Sequence, residues 1–368
     1  MANLGPLELR SDQHGEVAMR GAVFLGDRQI EVREFPDPTP GPGEVVLAIK
    51  ASGMCGSDLK FYRPPPGEAQ KALGLGDVSE PIIGGHEPCG VVAAVGPGVS
   101  ERQAREGMRV MDHHYAGCGV CPSCRVGWSQ LCPEGFVVYG VTANGAHADY
   151  MTVPARTLVP LPDELSFATG AAISCGTGTA YGALRRMNVS GRDTLAVFGQ
   201  GPVGLSACQL AAAMGARVIA IDPTPERLEL ARQFDAETVI DPTRTDPVAA
   251  LKDLTHGRGV DLALDCSGVE AARSAAVRAT RTWGTVCFVG EGGTVTLDVS
   301  RDMIRKQLTV IGSWTFSTVI QEECARFVAE RGIEVDRLFT QRWTLDQAPE
   351  AYRLFDTQTT GKGVFLFE

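Results

Sequence analysis

Between residues 19 and 160, apolar positions come in short runs separated by turn residues. Val45-Val46-Leu47-Ala48-Ile49 follows the turn Pro40-Gly41-Pro42-Gly43, and residues 90–96 and 148–153 repeat the texture. Brief β-prone runs between frequent turns predict a compact, mostly β domain. Residues 61–85 carry Pro64-Pro65-Pro66 and several glycines, and read as a long surface loop. The pattern changes after Pro162. Residues 167–187 are rich in Ala and Gly, as closely packed helices require. Residues 194–290 then alternate: strand-like 194–198, a helical run 203–214, strand-like 217–221, and further strand-like runs at 260–264 and 285–289. Strand–helix–strand repetition predicts a parallel, doubly wound α/β sheet. The remainder is mixed and ends in a strand-like 363–367.

One turn in the alternating region carries chemistry. Gly199-Gln200-Gly201-Pro202-Val203-Gly204 follows a strand and opens a helix. Gly199 permits the tight turn, Gly201 lets a pyrophosphate approach the backbone, and Gly204 packs helix on strand, so the helix N-terminus faces the phosphates. Asp222, at the end of the next strand, is placed to accept from both ribose hydroxyls and to repel a 2′-phosphate. NAD is therefore favoured over NADP. Asp222 also suits capping of the helix after it, which is compatible with either role. Arg227 is a candidate contact to the adenosine ribose, and Ser267, Val289 and Gly290 complete the candidate cofactor-binding set.

The bulk numbers narrow the setting. A chain of 368 residues exceeds one ordinary core, so two domains are expected. A formal net charge of −10 argues against nucleic acid as a main partner. No run reaches 18 apolar residues, so no membrane span is expected. Residues 1–18 are polar and lack the apolar core of a secretory signal; with 11 cysteines, an odd count, a reducing cytoplasm is the expected compartment.

Four of those cysteines, Cys118, Cys121, Cys124 and Cys132, share a 15-residue loop. Three at every-third-residue spacing let one glycine-containing knuckle aim its sulfurs at a common point, and the fourth returns to close a tetrahedron. Four thiolates suit zinc and leave no place for substrate, so this ion is structural. It contributes roughly 10–16 kcal/mol of binding to a loop with little core of its own. Disulfides, scattered core thiols and a nucleic-acid finger are the alternatives; the last calls for basic residues, and only Arg125 lies inside the loop.

Five motifs now stand in order: Cys55-Gly56-Ser57-Asp58, Gly85-His86-Glu87, the four-cysteine loop, Cys175, and the glycine-rich turn. In that order they resemble the zinc-dependent medium-chain alcohol/polyol dehydrogenases, over nearly all of residues 19–367. The resemblance implies a GroES-like, mostly β catalytic domain (19–175 and 313–368, with the structural zinc lobe at about 113–135). It implies a Rossmann NAD-binding domain (176–312) between the two parts, a cleft active site, and an N-terminal extension (1–18) outside the pattern. Cys55, His86 and Cys175 form the implied catalytic zinc set, with one position open. Glu87 is a transient fifth candidate, and Asp58 orients His86. An alcohol ionised at that zinc gives its proton to Ser57 and its hydride to the nicotinamide.

Two departures bear on substrate. Where the family often ends its proton relay in histidine, this chain has Lys60, a poorer relay at neutral pH or simply a solvated charge. His114 and His147 fall where relatives line the substrate pocket, which suggests a polar, oxygenated alcohol. Trp314 and Phe316 are candidates for an aromatic wall. The expected activity is NAD-linked oxidation of a secondary alcohol, polyol or cyclic. The alternatives are carbonyl reduction by the same parts and, more remotely, a retired dinucleotide- and zinc-binding scaffold. A homodimer or homotetramer is implied by analogy, with residues 285–300 as the pairing edge.

Overall fold

A hairpin that the periodicity did not single out begins the structure, a computed structural model that describes residues 18–72, 74, 81–357 and 361–368. Its strands, Ala18–Gly26 and Gln29–Pro36, pair antiparallel. Asp27 and Arg28 between them have φ of 49° and 60°, the left-handed pair whose twist matches that of a hairpin. Residues 1–17, including His14, and residues 75–80 of the expected loop lie outside the described residues.

The chain forms two compact units. One runs to Cys175 and resumes as Ser317–Ala329 and Phe339–Glu368; the other is Gly176–Phe316 with Glu330–Leu338. Residues 313–316 and 330–338, which the sequence reading grouped with the catalytic domain, cluster with the second unit.

In the first unit a seven-stranded sheet is built on Glu44–Gly53, which pairs antiparallel with Pro88–Val95, Tyr150–Pro154 and Lys362–Leu366. Burial of Val45, Leu47 and Ile49 on one face follows the period-two pattern of a strand. Helix Ala348–Phe355 buries Ala348, Ala351, Tyr352 and Phe355, a 3.6-residue stripe, in a cluster with Met54, Leu59, Tyr62 and Phe365. The expected surface loop is corrected in part. Residues Leu59–Tyr62 and Glu68–Ala72 are helical, the second built of good helix formers, and Ile83 is buried against the hairpin at Val23.

The second unit holds six parallel strands: β1 (Thr194–Phe198), β2 (Arg217–Ile221), β3 (Thr238–Ile240), β4 (Val260–Asp265), β5 (Thr280–Phe288) and β6 (Thr309–Gly312). Their spatial order is β3-β2-β1-β4-β5-β6, with every pairing parallel. This is a doubly wound nucleotide-binding sheet, whose ligand crevice lies where the order reverses, beside β1. Helices Gly176–Met187 and Pro202–Ala213, built largely of small residues, bury most of their length, and Thr177 and Ser206 hydrogen-bond at 2.9 Å. The expected pairing edge at 285–300 is corrected: β5 is flanked by β4 and β6, so its backbone is already satisfied. The edges of this sheet are β3 and β6. Among the described residues no helix is long and apolar enough to cross a membrane.

Candidate functional site

The cysteine lobe meets the requirement of a closed metal shell. Cys118, Cys121, Cys124 and Cys132 each offer a sulfur within 4.8 Å of the others. Gly119, at φ 81°, makes the knuckle turn that a side chain would strain. Backbone N–H groups of Cys118, Cys121 and Cys124 each point at a neighbouring sulfur at 3.4 Å, which favours thiolates. The Cys118 amide is first among the causes that hold the Cys132 thiol down to about 7, while burial pushes Cys124 up to about 12. All eleven cysteines are free of disulfides. Four sulfurs and no free ligand position fit structural zinc.

A second cluster gathers Cys55, His86, Glu87 and Cys175, with one ligand atom of each within 4.8 Å of the rest. Cys55 sits just past strand Glu44–Gly53, His86 and Glu87 just before Pro88–Val95, and Cys175 after helix Phe167–Ile173. Gly53 and Gly85 make the seat: a Cβ on Gly53 would lie 2.0 Å from Glu87 Oε2, and one on Gly85 would lie 2.4 Å from His147 Nδ1.

Hydrogen bonding from the Cys175 thiol, then the nearby His86 charge, holds Cys55 well below the usual thiol range, and the same bond raises Cys175. Burial lowers the His86 imidazole, but Asp58 and Cys55 together outweigh it and raise it. Asp58 Oδ1 stands 2.8 Å from His86 Nδ1, a close charged contact that falls short of a straight hydrogen bond. The Ser57 hydroxyl lies 3.2 Å from Cys55 Sγ and 3.3 Å from His86 Nε2. Two sulfurs plus imidazole are the donor set of a catalytic zinc, and Glu87 Oε2 is buried without a hydrogen-bond partner. The residues fit the metal.

Lys362, which the sequence reading missed, reaches Glu87 Oε1 at 2.6 Å and the Met54 carbonyl at 2.9 Å, with both side chains fully buried. Burial pushes the Glu87 carboxyl up, to about 8, against the pull of Lys362, while Glu87 raises the lysine. The two directions compete. We take the pair as ammonium and carboxylate, because two short acceptors satisfy a charged lysine and an unpaired buried charge is costly.

In the second unit, Gly199 has φ of 91°, and a Cβ on Gly204 would stand 1.9 Å from the Gly199 carbonyl. Nothing lies within 4 Å of a Cβ on Gly201, the N-cap of helix Pro202–Ala213, so the helix N-terminus is open to a diphosphate. Asp222 Oδ2 accepts from the Gln200 amide at 2.7 Å and Oδ1 from the Thr224 amide at 2.9 Å, with Arg227 3.9 Å away. Each oxygen keeps a lone pair for a ribose hydroxyl. Asp265, unmarked by the sequence reading, organises Ser267, Val289 and Gly290. Its carboxylate accepts from Ser267 and from Arg273, its carbonyl from the Val289 and Gly290 amides, and Arg273 also donates to the Gly290 carbonyl. These residues fit the dinucleotide.

The expected pocket residues divide. His114 is buried beside the cluster, with its ring 5.1 Å from that of His86 and its Nδ1 3.0 Å from the Ser174 carbonyl. Burial first, then the neighbouring imidazoles, keeps it well below the ordinary histidine range, hence neutral. His147 is corrected from pocket wall to core: it is fully buried, and both nitrogens are engaged by Ser52 and Tyr352. Phe316 is fully buried as well, which removes it from an aromatic wall; Trp314 is half-exposed in the second unit. Lys60 is exposed.

Comparison with known proteins agrees with this geometry. Residues 41–163 match the alcohol dehydrogenase GroES-like domain, and residues 202–330 match the zinc-binding dehydrogenases. A zinc-type alcohol dehydrogenase-like protein of Escherichia coli K12, YphC, itself uncharacterized, is 40% identical over 95% of this chain and 99% of its own. The chain belongs to the zinc-dependent medium-chain alcohol dehydrogenases. Sorbitol dehydrogenase of Bacillus subtilis is 30% identical over 90% of this chain and 92% of its own. The solved alcohol dehydrogenase TADH from Thermus sp. ATN1 has a TM-score of 0.85 at 30% identity, covering 95% of this chain and 100% of that one. This medium-chain dehydrogenase thus joins a GroES-like domain to a Rossmann domain and takes zinc and NAD(P) as cofactors.

Proposed function

We propose that this dehydrogenase oxidises a secondary alcohol, polyol or otherwise oxygenated, with NAD as acceptor, through a zinc held by Cys55, His86 and Cys175. The observation that carries the reading is the convergence of those three donors with the Ser57 hydroxyl. Zinc supplies Lewis acidity that lowers the pKa of a hydroxyl, and the dinucleotide supplies the hydride acceptor. Ser57, beside two ligand atoms, accepts the substrate hydroxyl's proton while passing its own outward to solvent. Carbonyl reduction uses the same groups in reverse. The likeness to sorbitol dehydrogenase favours a polyol. Screening nicotinamide reduction across sugar alcohols, diols, cyclic and simple alcohols tests this: turnover with polyhydroxy or cyclic secondary alcohols is expected, and turnover confined to simple primary alcohols sinks it.

The NAD preference rests on the charge of Asp222 at the end of β2. Loss of a charge-assisted contact of about 1.5–3 kcal/mol makes Asp222→Gly shift the NAD:NADP ratio of kcat/KM toward NADP by roughly 10–100-fold. An unchanged ratio removes Asp222 from the role. We place the association of copies at β6, one of the two edge strands, where backbone groups facing away from β5 can extend the sheet.

A further inference from the structure

His147 and Tyr352 belong to a buried chain of side chains that leads to the ligand cluster. Ser52 Oγ is 2.8 Å from His147 Nδ1, His147 Nε2 is 2.7 Å from the Tyr352 hydroxyl, and that hydroxyl donates to Asp58 Oδ2 at 2.9 Å. Asp58 Oδ2 also accepts the Cys55 amide at 2.8 Å, and Asp58 Oδ1 faces His86 Nδ1. Ser52, Asp58, His147 and Tyr352 are all at most 1% exposed.

The proton direction is forced by counting. Asp58 takes a backbone N–H and faces an imidazole, so it acts as an acceptor, and the Tyr352 proton goes to it. The tyrosine oxygen can then only accept from His147, so Nε2 of His147 carries hydrogen. Burial holds that imidazole down to about 4, hence neutral, which leaves Nδ1 bare to accept from Ser52. The tyrosine stays protonated because burial and the Asp58 charge raise it well above its ordinary range.

We propose that Tyr352, held by His147, is a positioning residue of the metal centre. Its hydroxyl pins the Asp58 carboxylate so that Oδ1 keeps the His86 proton on Nδ1 and leaves Nε2 for the metal. This rests on reading Cys55, His86 and Cys175 as the zinc set. A phenylalanine at 352 can keep the ring packing against Phe24 and Phe365 and deletes only the hydroxyl. Partners beyond the ligands contribute about 10–100-fold in metal affinity, and one bond further out we expect the lower end.

The test follows zinc release from the full chain to a colorimetric chelator, which separates a fast pool from the thiolate lobe, together with the visible spectrum of cobalt-substituted protein. Tyr352→Phe should release the Cys55-site metal about tenfold faster and shift its cobalt bands, with the lobe's metal unmoved. Tyr62→Phe, on a neighbouring buried ring but with its hydroxyl outside the chain of bonds, should change neither. Release within twofold of wild type with an unshifted cobalt spectrum overturns the proposal and leaves the metal reading intact. A wild-type protein without a second zinc overturns both. Nitrogen-15 spectra of histidine-labelled wild type need no variant: neutral His147 protonated on Nε2 supports the chain, and the Nδ1–H form or an imidazolium overturns it.

Discussion

Cys55→Ala abolishes turnover while the protein stays folded. The sulfur is one of three donors, and without it the remaining thiol and imidazole no longer hold an ion that can stabilise a developing negative oxygen. That stabilisation amounts to several kcal/mol, so kcat/KM falls by roughly 10³-fold or more. Cys55 is partly exposed at the end of a strand whose core lies elsewhere, at Val45, Leu47 and Ile49, so the melting temperature should move little. Metal analysis should show the catalytic zinc gone and the structural one retained. Retained turnover in this variant would end the assignment of the centre.

Cys121→Ala has the opposite signature. Cys121 caps the short helix Pro122–Arg125, its sulfur accepts from the Cys124 amide, and it is one of four sulfurs around one point. Around it the lobe exposes Val120, Val126 and Leu131, so little apolar burial holds the loop in place. Losing a thiolate forfeits part of a binding energy of roughly 10–16 kcal/mol, comparable with the whole stability of a domain. The melting temperature should drop by roughly 5–10 °C or more, with the loop newly open to proteolysis. An unchanged melting curve with full zinc content would show that the ion does not hold the lobe.

Much of the scaffold is legible in the chain because local rules set it. Alternating strand and helix periods placed β1, β2, β4 and β5, and the short apolar runs marked the central strands of the first unit. The cysteines of the lobe are close in sequence, so their spacing states their geometry. Cys55, His86 and Cys175 are far apart, and only the order of motifs linked them. Lys362 escaped notice because a lone lysine before a strand reads as a solvated charge; its partner is 275 residues away. Tyr352 lies in the mixed C-terminal region with no motif around it, and only the fold brings its hydroxyl to Asp58. His147 was misplaced for a related reason. Histidine at a pocket position suggests a polar wall, but Gly85 leaves just the room for the ring to turn inward. The hairpin turn at Asp27 and Arg28 lacks the glycine that usually announces one.

The contrast in chain separation between the two metal centres has a kinetic side. The lobe's outermost sulfurs are 14 positions apart, whereas the reactive centre draws on contacts spanning 275 and 294 positions. Closing a short loop is fast and entropically cheap; long-range contacts wait for the sheet to assemble. During synthesis or refolding the lobe therefore captures its ion first, and the centre that turns substrate over is the last to be loaded. Refolding with about one zinc per chain should therefore give a folded protein whose turnover appears only on adding more zinc.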